Sequence, residues 1–126
     1  MARKRSPHLT DAELRLMEVL WSNGPSTVSE VVERVTAQAP LAYSTVLTTL
    51  RILENKGFVK HSKEGRAFVY KAIVQRDKAQ TKALTQLLSR FFENSPELLM
   101  LNLIENRKIT AAELNRLRKK LSEEES

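Results

Sequence analysis

A mainly α fold with one small β-hairpin is what this 126-residue sequence predicts, on three observations. Apolar residues recur at helical spacing behind hydroxyl-x-x-Glu signals at Thr10–Glu13, Thr27–Glu30 and Thr110–Glu113. Between residues 58 and 71 the pattern changes to two short runs of aromatic and β-branched residues around a glycine-containing turn. The apolar fraction of 41% suffices for a core, yet no uninterrupted apolar run exceeds four residues, against the ~18 needed to cross a membrane.

In Thr10-Asp11-Ala12-Glu13 the hydroxyl serves the amide three residues on and the carboxylate reaches back, so a helix starts here. Leu14, Met17, Val19, Leu20 and Trp21 form its apolar set, with the single tryptophan read as core packing. Asn23-Gly24-Pro25 ends it, because glycine suits a left-handed cap and proline cannot continue a helix. A short second helix follows Thr27, carrying Val28, Val31, Val32 and Val35, and Pro40 closes the connection. The third helix is predicted from about Ala42 to Lys56, with Val46, Leu47, Leu50 and Leu53 apolar and Asn55-Lys56-Gly57 as its stop. Phe58–His61 and Ala67–Lys71 are the strand candidates, and Lys63-Glu64-Gly65-Arg66 is the expected turn. Three helices followed by a hairpin is the layout of a winged helix-turn-helix domain, assigned to residues 1–76.

From Asp77 the character changes. Leu84, Leu87, Leu88, Phe91 and Phe92 follow one helical stripe; Ser95-Pro96 opens a second helix with Leu98, Leu99, Leu101, Leu103 and Ile104; Thr110 with Glu113 opens a third with Leu114, Leu117 and Leu121. Helices this short do not stand alone in water. Residues 77–126 are therefore expected to be a C-terminal helical dimerisation domain, with a second copy as the partner. Leu84, Leu87, Leu88, Phe91, Leu101, Leu117 and Leu121 are the expected interface residues.

The formal charge is +6. Residues 1–76 hold 12 Lys/Arg against 7 Asp/Glu, and residues 77–126 hold 9 against 8, so the basic excess sits with the first domain. This favours a polyanionic partner. The material for catalysis is thin: there is no cysteine, no glycine-rich phosphate loop, and the two histidines, His8 and His61, stand far apart in sequence. No enzyme, cofactor or metal is expected. The basic Met1–Arg5 start lacks the apolar stretch of a signal peptide, and a cytoplasmic location is expected.

On the third helix Ser44, Thr45, Thr48 and Arg51 share a polar face opposite Val46, Leu50 and Leu53, and Tyr43 at the helix start is a further candidate DNA contact. A face rich in hydroxyls and poor in acids suits the major groove, where hydroxyls meet base edges and phosphates and the threonine methyl meets thymine. The competing reading is that these hydroxyls only bond back along the helix. Lys63 and Arg66 at the hairpin tip read either as phosphate contacts or as charges that keep an edge strand soluble. Arg3-Lys4-Arg5 reads either as a backbone-contacting arm or as an unstructured basic start. Double-stranded operator DNA is the expected partner. The rival function is a winged-helix protein-interaction module without nucleic acid; an RNA binder would want an exposed aromatic platform, which the sequence does not suggest.

With these residues placed, the sequence resembles the penicillinase and methicillin-resistance repressor family (BlaI/MecI), whose cousins include copper-responsive repressors. The resemblance rests on Leu9-Thr10-Asp11-Ala12-Glu13, Val19-Leu20-Trp21, Ser26-Thr27-Val28, the run Leu41 to Leu50, Leu53-Glu54-Asn55-Lys56-Gly57 and Ile109 to Leu114. It implies a homodimeric transcriptional repressor on a palindromic operator, with Ser44, Thr45 and Thr48 where the recognition helix meets the groove. In antibiotic-responsive members induction is by proteolytic cutting in the dimerisation region, which implies a sensor protease as a further partner. The matching bond here is Asn102–Leu103, with leucine where the family's cut site has an aromatic residue. The cysteine-rich C-terminal motif of the copper-responsive cousins is absent.

Overall fold

The computed structural model describes residues 8–36 and 39–125. Its elements are α1 (Asp11–Asn23), β1 (Ser26–Thr27), α2 (Val28–Thr36), α3 (Tyr43–Asn55), β2 (Val59–Glu64), β3 (Ala67–Ala72), α4 (Arg76–Phe91), α5 (Pro96–Glu105) and α6 (Ala111–Glu125). The Arg3-Lys4-Arg5 segment lies outside the described residues. The chain divides into two compact units, Met1–Ala83 and Leu84–Ser126. The division falls inside α4, beyond the expected break between 76 and 77. Its first turns belong with the first unit, because Ala79 is buried in that unit's core and the Lys82 ammonium sits 5.4 Å from the centre of the Phe58 ring.

The first unit closes one core. Leu16, Met17 and Leu20 of α1, Val28, Val31 and Val35 of α2, and Val46, Leu50 and Leu53 of α3 meet Phe58, Val59 and Tyr70. On α1 the buried face is Glu13, Leu16, Met17 and Leu20, whereas Leu14, expected inside, is 40% exposed. Leu14 and Leu16 are two residues apart and so face different sides of a helix; only tertiary contact chooses between them. Trp21 is half-buried as core packing implies, and its ring N–H donates to the Val74 carbonyl at 2.9 Å. Gly24 ends α1 with φ 77°, its amide bonding the Leu20 carbonyl at 2.9 Å.

Beside the helices lies a three-stranded antiparallel sheet in the order β1-β3-β2. The strand β1, with Ser26 opposite Tyr70 and Thr27 opposite Val69, was not expected, since two residues are too short to show a period. Thr27 serves twice, pairing with β3 and capping α2 through its hydroxyl at 3.1 Å and the Glu30 carboxylate at 2.8 Å. The hairpin is tighter than the sequence implied. Lys63 and Glu64 belong to β2, and the loop is only Gly65-Arg66, with φ 62° at Gly65 as a glycine-first two-residue loop requires.

In the second unit, the turn after α4 holds Glu93 and Asn94, both at positive φ, with the Asn94 amide on the Leu88 carbonyl at 2.9 Å. Ser95 caps α5 at 3.1 Å, and Thr110 with Glu113 forms a reciprocal cap on α6 at 3.1 and 2.8 Å. Among the described residues of Leu84–Ser126 not one is buried.

Candidate nucleic-acid interface

Packing decides how α3 is presented. Val46, Leu50 and Leu53 have no exposed surface, which turns Ser44, Thr45, Thr48 and Arg51 to the outside; Tyr43, the first residue of the helix, is also exposed. The back-bonding reading of the hydroxyls holds for Thr49, which is buried and donates to the Thr45 carbonyl at 2.7 Å. Among the described residues it does not hold for Ser44, Thr45 or Thr48, whose hydroxyls take no internal partner. The start of α3 is also open. Ala42 offers its amides no side-chain cap and the first turn carries no acid, whereas α1 and α5 are capped by Thr10 and Ser95. Uncapped amides at a helix N-terminus carry partial positive charge and favour anions.

The far end of α3 is anchored. Lys56 donates to Glu13 at 2.7 Å and to the His8 carbonyl at 2.9 Å, in an ion pair whose side chains are only 7% and 6% exposed. Burial pushes the Glu13 carboxyl up, but hydrogen bonds from Lys56 and from the Thr10 amide and hydroxyl outweigh it and hold the group below its ordinary value. Sequence reasoning saw only a capping partner in Glu13. The ion pair joins residues 43 positions apart, and no local pattern announces it.

The hairpin stands beside α3. Lys63 is exposed near the end of β2 and Arg66 is exposed in the loop itself. Pairing also sets Lys60 directly opposite Lys71, both exposed, on the sheet face away from His61 and Tyr70. These two lysines were missed. The expected four-residue turn would have set Lys60 against Val69, so only the two-residue loop brings the like charges together. Such a pair is destabilising by itself and gains from an anion between its members.

Polar side-chain contacts join helix and hairpin: the Arg51 guanidinium donates to the Tyr70 phenol, and His61 meets Glu54. His61 Nδ1 lies 2.8 and 2.9 Å from the two Glu54 oxygens. Its ring packs edge-on against Phe68 and tilted against Tyr70, each 5.2 Å between centres. Burial raises the Tyr70 phenol above its ordinary value, as does the charge of nearby Glu54, while the Arg51 guanidinium opposes them.

In the second unit Leu84, Leu87, Phe91, Leu101, Leu117 and Leu121 are exposed by 39–68%, and Leu88 is half-buried. Asn102 and Leu103 lie within α5, and the Asn102 carbonyl accepts from the Asn106 amide at 3.0 Å and the Asn106 side chain at 2.9 Å. Among the described residues no cluster of histidine and acidic side chains suited to a metal ion comes together, and no helix is long and apolar enough to cross a membrane.

The profile of the penicillinase repressor family matches residues 9–123. A penicillinase repressor of Bacillus licheniformis is 33% identical over 121 residues, covering 95% of this chain and 94% of its own. The transcriptional regulator BlaI of Mycobacterium tuberculosis is 32% identical over 120 residues, covering 94% and 86%. Among solved structures, the DNA-binding domain of the repressor BlaI superposes with a TM-score of 0.53 at 33% identity, covering 60% of this chain and 93% of that domain. The Bacillus licheniformis BlaI monomeric form in complex with the blaP half-operator superposes with a TM-score of 0.50 at the same identity and coverage.

Proposed function

The chain belongs to the penicillinase repressor family and is a DNA-binding transcriptional repressor, and we propose that it holds a palindromic operator as a homodimer, one α3 in each of two successive major grooves. The observation that carries this reading is the outward face of α3: Ser44, Thr45, Thr48 and Arg51 exposed, three hydroxyls without internal partners, and an uncapped N-terminus above them. Thr45 and Thr48 read base edges. Tyr43, Ser44 and the open amides of α3 take phosphates, and Arg51 lies on the same face toward the groove. Lys63, Arg66 and the Lys60–Lys71 pair hold the backbone beside the groove. The related BlaI seen on a half-operator supports this assignment of the N-terminal unit. The leucine and phenylalanine stripes of α4, α5 and α6 supply the dimer contact, and binding takes place in the cytoplasm.

Release follows from losing that contact, since one protomer makes only half of the operator contacts. In the antibiotic-responsive members a sensor protease cuts at the place that Asn102–Leu103 occupies here. In this chain the bond sits inside a hydrogen-bonded helix, so α5 must unwind locally before a protease can take it as an extended strand.

The test uses a DNA duplex selected from a random-sequence library by the wild-type protein. Raising salt from about 50 to 200 mM should weaken binding on the order of a thousandfold if roughly six to ten phosphates are neutralised. Thr45→Ala or Thr48→Ala should cost about 1–3 kcal/mol on the selected duplex and little on random DNA. Arg66→Ala should weaken both equally. Binding indifferent to salt, or unchanged site preference in both threonine variants, refutes the assignment of α3.

A further inference from the structure

We propose that His61 is a positioning residue that keeps Arg51 available to DNA by occupying the carboxylate of Glu54. The inference rests on the reading of α3 as the DNA-facing helix. Arg51 and Glu54 are three residues apart on α3, the spacing at which an arginine and a carboxylate pair on a helix surface. Such a pair would cancel the one cation of the exposed α3 face and leave its guanidinium turned along the helix. Among the described residues Arg51 forms no ion pair, and its guanidinium donates to the Tyr70 phenol rather than to Glu54. Both Glu54 oxygens are instead engaged by His61 Nδ1 from the neighbouring strand, at 2.8 and 2.9 Å.

The histidine is itself held in place. Phe68 and Tyr70 pack its ring, and Tyr70 is buried, so the imidazole is presented to Glu54 by the hairpin's own packing. The same Tyr70 feels the charges of Glu54 and Arg51, so the three α3 and hairpin groups lie close together. A free Glu54 would do two kinds of harm: it would neutralise Arg51, and it would set an uncompensated negative charge beside the DNA backbone.

The experiment measures binding of the full-length protein to the selected duplex by fluorescence anisotropy. His61→Phe keeps a ring against Phe68 and Tyr70 while removing the Glu54 contact. It should weaken binding about three- to tenfold, the scale of a partly exposed charge contact. Adding Glu54→Gln to it should restore binding to within about twofold of wild type, because a neutral amide neither captures Arg51 nor repels phosphate. In an Arg51→Ala background, His61→Phe should cost much less than in wild type, as coupled residues require. Thermal melting of each variant checks the fold.

The positioning role is overturned if His61→Phe binds like wild type. It is equally overturned if Glu54→Gln fails to restore binding, since the loss then comes from the hairpin. Failure of the α3 reading gives a different pattern: Arg51→Ala, Thr45→Ala and Thr48→Ala would all leave binding to the selected duplex unchanged.

Discussion

In Met1–Ala83, thirteen apolar side chains among the described residues are buried, drawn from four helices and two strands' worth of chain. In Leu84–Ser126 the helices are as regular and as well capped, and among the described residues none is buried. The contrast separates two sources of stability that sequence patterns alone do not tell apart. Capping boxes and helical periodicity occur in both halves, at Thr10–Glu13 and at Thr110–Glu113 alike. Only the first half has enough elements to close a core around its apolar faces. The apolar stripes of the second half stay exposed in the single chain, and under the proposed dimer a second copy covers them, which would make association and folding one equilibrium there.

The largest expected effect is on association. Phe91 is 68% exposed in the single chain, and Phe91→Asp places a charge where the dimer reading needs an apolar contact. Association should weaken on the order of a hundredfold or more, as loss of a buried aromatic implies. Analytical ultracentrifugation should show monomers, while the melting transition of the first unit stays where it was. Wild-type protein that sediments as a monomer at micromolar concentration would erase the contrast, because the stripes would then need no partner.

Lys56→Met acts on the other side of the comparison. It leaves Glu13 buried without its partner, and removing one member of a buried pair costs about 3–5 kcal/mol. Chemical denaturation should show this loss in the first unit with dimerisation unchanged. The pH dependence of the pair has a definite sign. Glu13 sits below its ordinary value in the folded state, so its contribution is complete above the unfolded value of about 4.3 and is lost as pH falls through the lower folded value. Denaturation midpoints between about pH 6 and pH 3 should fall more steeply for wild type than for Lys56→Met.

The smallest effect sharpens the contrast most directly. Thr10→Ala and Thr110→Ala remove the same cap from α1 and α6, and each should cost about 1 kcal/mol. The first loss should register as lower stability of the first unit at any protein concentration. The second should register as weaker association, detectable only by varying concentration. Identical concentration dependence for the two variants would contradict the division of labour between the units.

Much of the candidate site was legible from α3 alone. Val46, Leu50 and Leu53 define one face by period, so the opposite placing of Ser44, Thr45, Thr48 and Arg51 followed before any contact was known. The capping boxes, the glycine stops at Gly24 and Gly57 and the apolar stripes of α4 to α6 are local signals of the same kind, because each is decided by residues within a turn or two of one another. The contacts that escaped are all long in sequence. Lys56 reaches Glu13 across 43 positions and Trp21 reaches Val74 across 53. The choice of Leu16 over Leu14 for the core, the pairing of Ser26-Thr27 with β3, and the register that sets Lys60 against Lys71 and His61 beside Glu54 depend on where separate elements meet. Periodicity states which side of an element is apolar; which neighbour that side meets, and at what register, is decided by the packing of the whole unit, because burial rewards a mutual fit that no single segment encodes.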